Sequence, residues 1–397
     1  MKECCIHYDF VLFENTYDYY FHYEDLDILA RLLKNAGYSV AYADVFKERE
    51  LCRTEGVPHI TFKKLAPRHF VEIDWSHPPP KKYGVMKKIY FRLRQSLYLR
   101  YVIRQITPIC DNVYLGTLAY YTPFGLWLSF RSNKFYYFWG LRSYMVSQWK
   151  KTGLKDIPGI ISYFFYYQLH KRNNVKLFCS NDALKDDFIK DVDIEPERLI
   201  VRPERVITSV TQPLVRNDGK LRILSIGTTR KSKNIPMILD ALKLVDNPNV
   251  IYTIAGYNRL DENSEEEIRK HMANMDNVIR INHVLTEQEY EEYLNNCDFM
   301  ITCEGKQETS ISSGTLVEAL LHGKPVIGPN HNTYYDEIHG NGVGILFDID
   351  NLQSLADAIR KAYDYGTAPY VDNLVAYQEK FLEEKVVQNL KFQIERN

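Results

Sequence analysis

The sequence contains few cysteines, and none is spaced as in disulfide-rich or zinc-binding proteins. Its seven cysteines are scattered over 397 residues, and no Cys-x-x-Cys pair occurs among them. Long apolar segments are also missing, because no uninterrupted run reaches the length that crosses a bilayer. The first residues do not follow a signal-peptide pattern. We therefore expect a protein of a reducing compartment, cytoplasmic and peripheral on the inner face of the membrane.

The sequence has almost no net charge, but its basic and acidic residues are unevenly distributed along the chain. The formal net charge is -1, yet the segment from Trp75 to Asn181 contains 17 Lys and Arg and only 2 acidic residues. This asymmetry predicts a basic half that faces an anionic partner. No recognisable nucleic-acid module accompanies the charge, so we expect no nucleic acid as partner.

The basic residues are densest from Lys81 to Arg104, which contains eight of them and no acid. Apolar residues recur there at helical spacing, at Val85, Ile89 and Leu93. The pattern predicts an amphipathic helix on an anionic membrane surface. A helix with its apolar stripe in the core and its lysines in water would show the same pattern.

Strands and helices alternate along the second half of the chain. Strands are predicted over Leu221–Ile226, Val250–Ala255, Val278–Ile281, Asp298–Thr302 and Pro325–Ile327. Helical segments separate them, so βαβ crossovers and a parallel sheet are predicted. No Gly-x-Gly-x-x-Gly turn follows any of these strands, which argues against a dinucleotide-dependent oxidoreductase.

The first half has a similar but weaker pattern. Strands are predicted over Tyr8–Phe13, Val40–Val45, Asn112–Leu115, Phe135–Phe138 and Lys176–Cys179, and a helix over Leu26–Asn35. The length predicts two domains. We place them at residues 1–210 and 211–375, with residues 376–397 as a C-terminal helix that packs back on the first domain.

A polar loop of small residues precedes a short predicted helix in the last third of the chain. Ser312, Ser313 and Thr315 are residue types that start helices, and Gly314 lets the backbone approach a ligand. The free amides of a first helical turn can hold phosphate. Glu318, on the next turn, is suited to sugar hydroxyls. A nucleotide sugar is the ligand that this combination predicts, although Ser-Gly-Thr is also a common capping sequence.

The order of several short motifs resembles a GT-B glycosyltransferase, closest to the retaining glycosyltransferase family 4, also called group 1. The matching pieces are Ile226-Gly227, Ile254-Ala255-Gly256, Val278-Ile279, Cys297-Asp298, Glu318-Ala319 and Gly323-Lys324-Pro325-Val326-Ile327. The resemblance covers roughly residues 221–363. It implies an α/β fold of two Rossmann-like domains with parallel sheets facing a central cleft.

The resemblance also implies donor-binding and catalytic residues. In that family a glycine after the first strand is followed six residues later by a lysine that neutralises donor phosphate, and Gly227 and Lys233 have this spacing. The usual arginine after the glycine is Thr228 here, and Arg230 or Lys231 is predicted to substitute for it. No metal site and no cofactor are predicted.

Further donor contacts follow from the same resemblance. The family has two Glu residues separated by seven others. Glu318 matches the second, which binds the donor ribose, whereas Ser310 stands at the position of the first. The nucleotide base is expected against the turn of Asn282, His283 and Val284. The donor is expected to be UDP- or GDP-linked.

The acceptor side is predicted from the loop between Glu14 and Tyr23, whose titratable candidates are Glu14, Asp18 and His22, and from Arg142. The expected activity is hexosyl transfer to a glycan acceptor, lipid-linked, in surface polysaccharide or glycolipid assembly. Two alternatives remain open at this stage. They are a nucleotide-sugar epimerase of the same fold and a catalytically silent glycosyltransferase-like partner subunit.

Overall fold

The structure is a computed structural model, and it describes residues 6–13, 20–44, 54–61, 100–117, 134–139, 164, 167–168, 171–192, 194–260, 262–305, 313–331 and 334–396. The chain divides into two compact units, one of residues 1–206 with 383–397 and one of residues 207–382. These boundaries lie a few residues from those expected from the sequence, and the second unit continues to residue 382.

The first unit contains a seven-stranded sheet in which all neighbouring strands are parallel, in the order β3-β2-β1-β4-β5-β6-β7. The strands are β1 (Tyr8–Phe13), β2 (Val40–Asp44), β3 (His59–Thr61), β4 (Cys110–Thr117), β5 (Phe135–Trp139), β6 (Val175–Cys179) and β7 (Leu199–Val201). Two helices of this unit are α1 (Tyr20–Asn35) and α2 (Asp182–Val192).

The second unit contains a six-stranded parallel sheet in the order β10-β9-β8-β11-β12-β13. Its strands are β8 (Leu221–Ile226), β9 (Val250–Ala255), β10 (Val278–Ile281), β11 (Phe299–Ile301), β12 (Val326–Pro329) and β13 (Gly344–Phe347). Its helices are α3 (Ile235–Val245), α4 (Glu262–Met272), α5 (Glu287–Asn296), α6 (Gly314–Leu321), α7 (Leu352–Tyr365) and α8 (Val371–Glu379).

Helices cover both faces of the second sheet. Ile238 of α3 and Ile359 of α7 belong to the core on one face. Leu294 of α5 and Leu320 of α6 belong to the core on the other face. The central strands β8, β11 and β12 are largely buried, as expected for a parallel sheet covered on both faces, whereas the edge strand β10 is partly exposed. The predicted fold class, two α/β units with parallel sheets, is confirmed.

The last helix, α9 (Glu383–Glu395), returns to the first unit. Its Val386 and Leu390 join the core beneath α1. The side chain of Glu383 accepts a hydrogen bond from Asn35 at 2.7 Å. The chain therefore uses both of its ends to build the first unit.

Two expectations for the first unit need correction. Helix α1 begins at Tyr20, so residues 20–23, expected in a loop, are helical. In the basic segment, residues 100–106 are helical, and their Val102, Ile103 and Ile106 are fully buried in the core. The end of this segment thus packs its apolar side inward, whereas residues 62–99 lie outside the described part of the chain.

Candidate functional site

The strand order of the second sheet reverses at its middle, between β8 and β11. From β8 the chain continues to β9 and β10 on one side, and from β11 to β12 and β13 on the other. Open parallel sheets bind ligands at the carboxyl ends of the strands where this reversal occurs. A cavity of about 10 Å³ lies there, with room for one water-sized group. It is lined by Ser225, Ile226, Lys233, Met300, Ile301, Thr302, Glu304 and Thr315.

A tight glycine turn follows β8 at this point. Gly227 has φ +88°, a conformation that residues with a side chain adopt rarely. A Cβ atom at Gly227 would lie 3.6 Å from Lys233 Nζ and 3.9 Å from a methyl group of Thr315. The structure therefore brings together three residues that the sequence had placed in the donor site. Gly256, after β9, packs against the same turn.

The Lys233 side chain folds back over this turn. It ends a 3-10 helix of residues Lys231–Lys233, and its Nζ donates a hydrogen bond to the carbonyl of Ile226. Burial lowers the pKa of Lys233 to about 8, opposed by the negative charge of Glu304 and assisted by the positive charges of Arg230 and Arg280. A cation held in a partly dehydrated pocket is suited to an anionic ligand.

The N-terminus of α6 faces the same turn. Ser313 occupies the N-cap position, and its carbonyl accepts from the amide of Val317. The amides at the start of a helix have no partner within it and carry a partial positive charge. No described residue would come within 4 Å of a Cβ atom on Gly314, so the described part of the chain leaves the helix start open. Ser312 lies outside the described residues.

Glu318 lies on the first full turn of α6 and is held by a neighbouring helix. Its Oε2 accepts a hydrogen bond from the hydroxyl of Tyr290, on α5, at 2.9 Å. Its backbone carbonyl accepts from Nδ1 of His322 at 2.8 Å. The hydrogen bond from Tyr290 restricts the rotamers of the carboxylate, which is the arrangement required of a residue that must meet a ligand in one orientation.

The turn after β10 contains the residues expected near the nucleotide base. Asn282 accepts a hydrogen bond through Oδ1 from the amide of Asn258 at 3.1 Å. Nε2 of His283 lies 2.9 Å from Glu289, whose carboxylate also caps α5. Val284 is 73% exposed. Two of the three side chains therefore have structural partners, and Val284 presents an apolar surface to solvent.

Arg230 lies beside this site, and the sequence analysis missed a second arginine close to it. Arg230 is exposed and precedes the 3-10 helix that ends at Lys233. Arg280, on β10, donates through Nη1 to the hydroxyl of Thr229 at 3.1 Å. Burial lowers the pKa of Arg280. The sequence places Arg280 inside the strand β10, and nothing in its local pattern indicates that its side chain reaches Thr229.

Glu304 was also missed. It lies three residues beyond β11, and only 8% of it is exposed. Its Oε2 accepts a hydrogen bond from the hydroxyl of Tyr334 at 2.8 Å. Its place just after a strand end was a signal that the sequence analysis overlooked, since ligand-binding side chains cluster at such positions.

The comparison with protein families assigns the second unit of the chain. Residues 207–380 match the family model described as glycosyl transferases group 1. Residues 207–380 are a group 1 glycosyltransferase domain. The enzyme class predicted from the sequence, a glycosyltransferase, is thereby confirmed, and the chemistry is sugar transfer. No curated protein sequence matches the chain significantly.

Solved structures of glycosyltransferases share the fold over nearly the whole chain. HepE from Anabaena, in complex with UDP and glucose, is 12% identical with a TM-score of 0.64, and the match covers 98% of this chain and 100% of HepE. Sucrose-phosphate synthase from Thermosynechococcus elongatus is 12% identical with a TM-score of 0.63, and the match covers 98% of each chain.

A third similar structure is the lipopolysaccharide outer core galactosyltransferase WaaB. It is 10% identical with a TM-score of 0.62, and the match covers 98% of this chain and 99% of WaaB. Because these three proteins are only 10–12% identical to this chain, the comparison establishes a shared fold and nothing about substrates.

The acceptor-side residues predicted from the sequence lie largely outside the described part of the chain. Glu14, Asp18 and Arg142 lie there. The backbone of His22 lies in α1, instead of the loop expected from the sequence. No helix within the described ranges is long and apolar enough to cross a bilayer.

One pair of carboxylates in the glycosyltransferase domain has a spacing found in some metal sites. Asp348 and Asp350 follow β13, but Asp348 accepts a hydrogen bond from Asn330 at 3.3 Å and Asp350 has φ +66°. Among the described residues, no three His, Cys, Asp or Glu side chains are grouped so that they could hold a metal ion.

Proposed function

We propose that the protein transfers a sugar from a nucleoside-diphosphate sugar, UDP- or GDP-linked, to a glycan acceptor. One observation carries the proposal. The Lys233 ammonium, the Gly227 turn and the start of α6 meet at one point, where the strand order reverses. Each of the three favours an anion, and together they suit a diphosphate.

The reaction that follows from this arrangement is a substitution at the anomeric carbon of the sugar. The bond from that carbon to the diphosphate oxygen breaks, and a bond from the acceptor hydroxyl oxygen forms. The leaving diphosphate keeps the electron pair, so negative charge grows next to Lys233 and the amides of α6. The acceptor proton passes to the departing phosphate or to a base on the acceptor side. Lys233 thus lowers the barrier by stabilising the leaving group.

Glu318 and the turn after β10 supply the remaining donor contacts. The carboxylate of Glu318, fixed by Tyr290, accepts hydrogen bonds from the ribose hydroxyls. The base lies against the turn of Asn282, His283 and Val284. The presence of UDP and glucose in the HepE structure supports a donor of this class.

The acceptor is proposed to be lipid-linked, in surface polysaccharide or glycolipid assembly. Support comes from the 17 basic and 2 acidic residues between Trp75 and Asn181, which would attract an anionic membrane surface. The similarity to a lipopolysaccharide galactosyltransferase points the same way. The apolar side of residues 100–106 is buried, so in that part membrane contact would depend on charge.

Calorimetric titration with UDP and with GDP tests the donor site. Lys233→Ala is expected to lower the affinity for the nucleotide that binds by ten-fold or more, in line with loss of a charge-assisted contact of about 1.5–3 kcal/mol. Lys220→Ala is the matched control, because Lys220 precedes β8 at the opposite end of that strand. Equal affinities for wild type and Lys233→Ala would contradict the proposal.

Product analysis separates transfer from the two alternatives. The protein is incubated with UDP- and GDP-linked hexoses, with and without a lipid-linked glycan extract, and the products are identified by mass spectrometry. A glycosyltransferase extends the glycan and releases nucleoside diphosphate. Conversion of the donor to its epimer without acceptor would indicate an epimerase. Binding without any turnover until a second protein is added would indicate a silent partner subunit.

A further inference from the structure

Glu304 shares the small cavity at the carboxyl ends of β8 and β11 with Lys233 and Thr315. It is a carboxylate withdrawn from water at a site proposed to bind a diphosphate. A carboxylate there repels such a ligand, because like charges in a partly dehydrated site interact strongly. Its presence at this position therefore needs an explanation. The partners of the carboxylate indicate what its task is.

Two residues that follow β12 hold Glu304 in place. The hydroxyl of Tyr334, which is 5% exposed, donates to Oε2 at 2.8 Å. Nε2 of His331 lies 3.0 Å from the backbone carbonyl of Glu304, and because a carbonyl only accepts, this nitrogen carries the proton. Glu304 is thus fixed at both its backbone and its side chain.

The charges around Lys233 explain why a fixed carboxylate is needed. Burial and the guanidinium groups of Arg230 and Arg280 all disfavour the charged ammonium. Within the described part of the chain, Glu304 is the charged group that favours it, and together these influences place the pKa of Lys233 at about 8. The negative charge of Glu304 therefore offsets part of what burial and the two guanidinium groups do to the Lys233 ammonium.

We propose that Glu304 is a positioning residue, whose carboxylate keeps the Lys233 ammonium charged and in place for the donor diphosphate. It acts through Lys233 and does not touch the reacting atoms. The inference rests on the proposed function, because it assigns Glu304 a role in the same donor site. The balance of charges also makes donor binding sensitive to pH near the pKa of Lys233.

The test is nucleotide affinity as a function of pH, measured by calorimetry with UDP or GDP between about pH 7 and 10, where the phosphates stay ionised. For the wild type, affinity should fall as pH rises through about 8, because Lys233 loses its proton. In Glu304→Gln the midpoint should move down by about one pH unit, since an opposite charge has been removed. The side-chain amide that this substitution introduces can still accept from Tyr334, so the fold should be kept.

Lys233→Arg provides the matched control. A guanidinium does not titrate in this range, so the loss of affinity near pH 8 should disappear. Adding Glu304→Gln to Lys233→Arg should then leave the pH profile flat. Should Glu304→Gln not fold, Tyr334→Phe releases the carboxylate from its hydroxyl partner and should move the midpoint in the same direction.

Two results would separate failure of this inference from failure of the proposed function. An unchanged midpoint in Glu304→Gln, together with weak nucleotide binding by Lys233→Ala, overturns the role of Glu304 alone. A uniform loss of affinity at every pH also overturns it, because Glu304 would then act on the ligand or on the fold. Wild-type nucleotide affinity in Lys233→Ala overturns the proposed function and with it this inference.

Discussion

The hydrogen bond between Tyr290 and Glu318 can be tested by removal of one oxygen. In Tyr290→Phe the carboxylate of Glu318 loses the donor at 2.9 Å that restricts it. Nucleotide affinity should fall roughly two- to thirteen-fold, corresponding to about 0.5–1.5 kcal/mol for one hydrogen bond. Calorimetry with UDP or GDP measures the change.

Tyr293→Phe is a suitable comparison for this variant, because Tyr293 lies on the same helix, α5. It should bind nucleotide as the wild type does. The melting temperature of both variants should stay close to that of the wild type, since each keeps its aromatic ring. A similar loss of affinity in both variants would mean that α5 acts as a whole and that Tyr290 has no particular role.

The buried ammonium of Lys176 is expected to lower the stability of the protein. Lys176 is 3% exposed on β6, its Nζ lies 5.2 Å from the ring centre of Phe135, and burial lowers its pKa to about 8. Lys176→Met should therefore stabilise the protein at pH 7 by about 2 kcal/mol, because a buried ammonium is replaced by an apolar chain. Urea unfolding measures this gain.

The pH dependence of that gain has a definite sign. Between about pH 8 and the ordinary lysine value of about 10.4, the folded wild type has released its proton while the unfolded chain retains it. Wild-type stability therefore rises with pH in this window, and the advantage of Lys176→Met should shrink there. The exposed Lys190 is the control, because Lys190→Met should show no such trend. A gain that is constant with pH would contradict the burial of a charge.

The sequence predicted some side chains of the proposed donor site and missed others. Gly227 and Lys233 were predicted because their spacing matches that of the family the sequence resembles, and the structure brings them together. Glu304, Tyr290 and Arg280 were not, since each approaches the site from a different strand or helix. Spacing along the chain identifies residues of one turn, whereas contacts between elements depend on packing that a single sequence does not display.

At the scale of the elements, the glycine turns after β8 and β9 pack directly on one another. Gly256 has φ +132°, and a Cβ atom there would lie 2.4 Å from the carbonyl oxygen of Gly227. Gly256→Ala should lower the free energy of unfolding by about 3 kcal/mol, from backbone strain and the displaced Gly227 turn. It should also weaken nucleotide binding, which urea unfolding and calorimetry would detect together.

Gly219→Ala separates strain from steric overlap. Gly219 has φ +74°, but no atom of the described residues would lie within 4 Å of a Cβ atom there. This variant should cost only about 1 kcal/mol, the strain of the left-handed conformation, and should bind nucleotide normally. Equal losses of stability in the two variants would show that the contact between the two turns is unimportant.

The elements themselves were predictable where their apolar pattern was long enough. β8, β9 and β10 have the predicted bounds, because each is an apolar run ended by a glycine or by polar residues. β3 and β7 contain only three residues each and were not predicted, whereas the equally short β11 lies within the predicted strand Asp298–Thr302. The start of α1 was missed, since aromatic residues are not strong helix formers.

At the scale of the whole molecule, the first unit depends on the end of the chain. The side chain of Gln393, on α9, accepts from the amide of Val201 at 2.9 Å and donates to its carbonyl at 3.1 Å. Gln393 thus continues the ladder of β7, the edge strand of the described sheet. Arg31 of α1 pairs with Glu383 at 3.1 Å. Association of α9 with the first unit is therefore expected to be cooperative with the folding of α1 and β7.

Two substitutions on α9 test this dependence. Leu390 is 1% exposed in the core beneath α1, whereas Phe392 is 58% exposed on the same helix. Leu390→Ala should destabilise the first unit by about 2–5 kcal/mol, and Phe392→Ala should change stability by less than about 0.5 kcal/mol.

Hydrogen exchange followed by mass spectrometry shows which part of the protein is destabilised. Amides of α1 and β7 should exchange faster in Leu390→Ala, and those of β8 and β9 should not. Faster exchange across β8 and β9 would mean that the two units unfold together, and unchanged exchange in α1 would mean that α9 is not part of the first core.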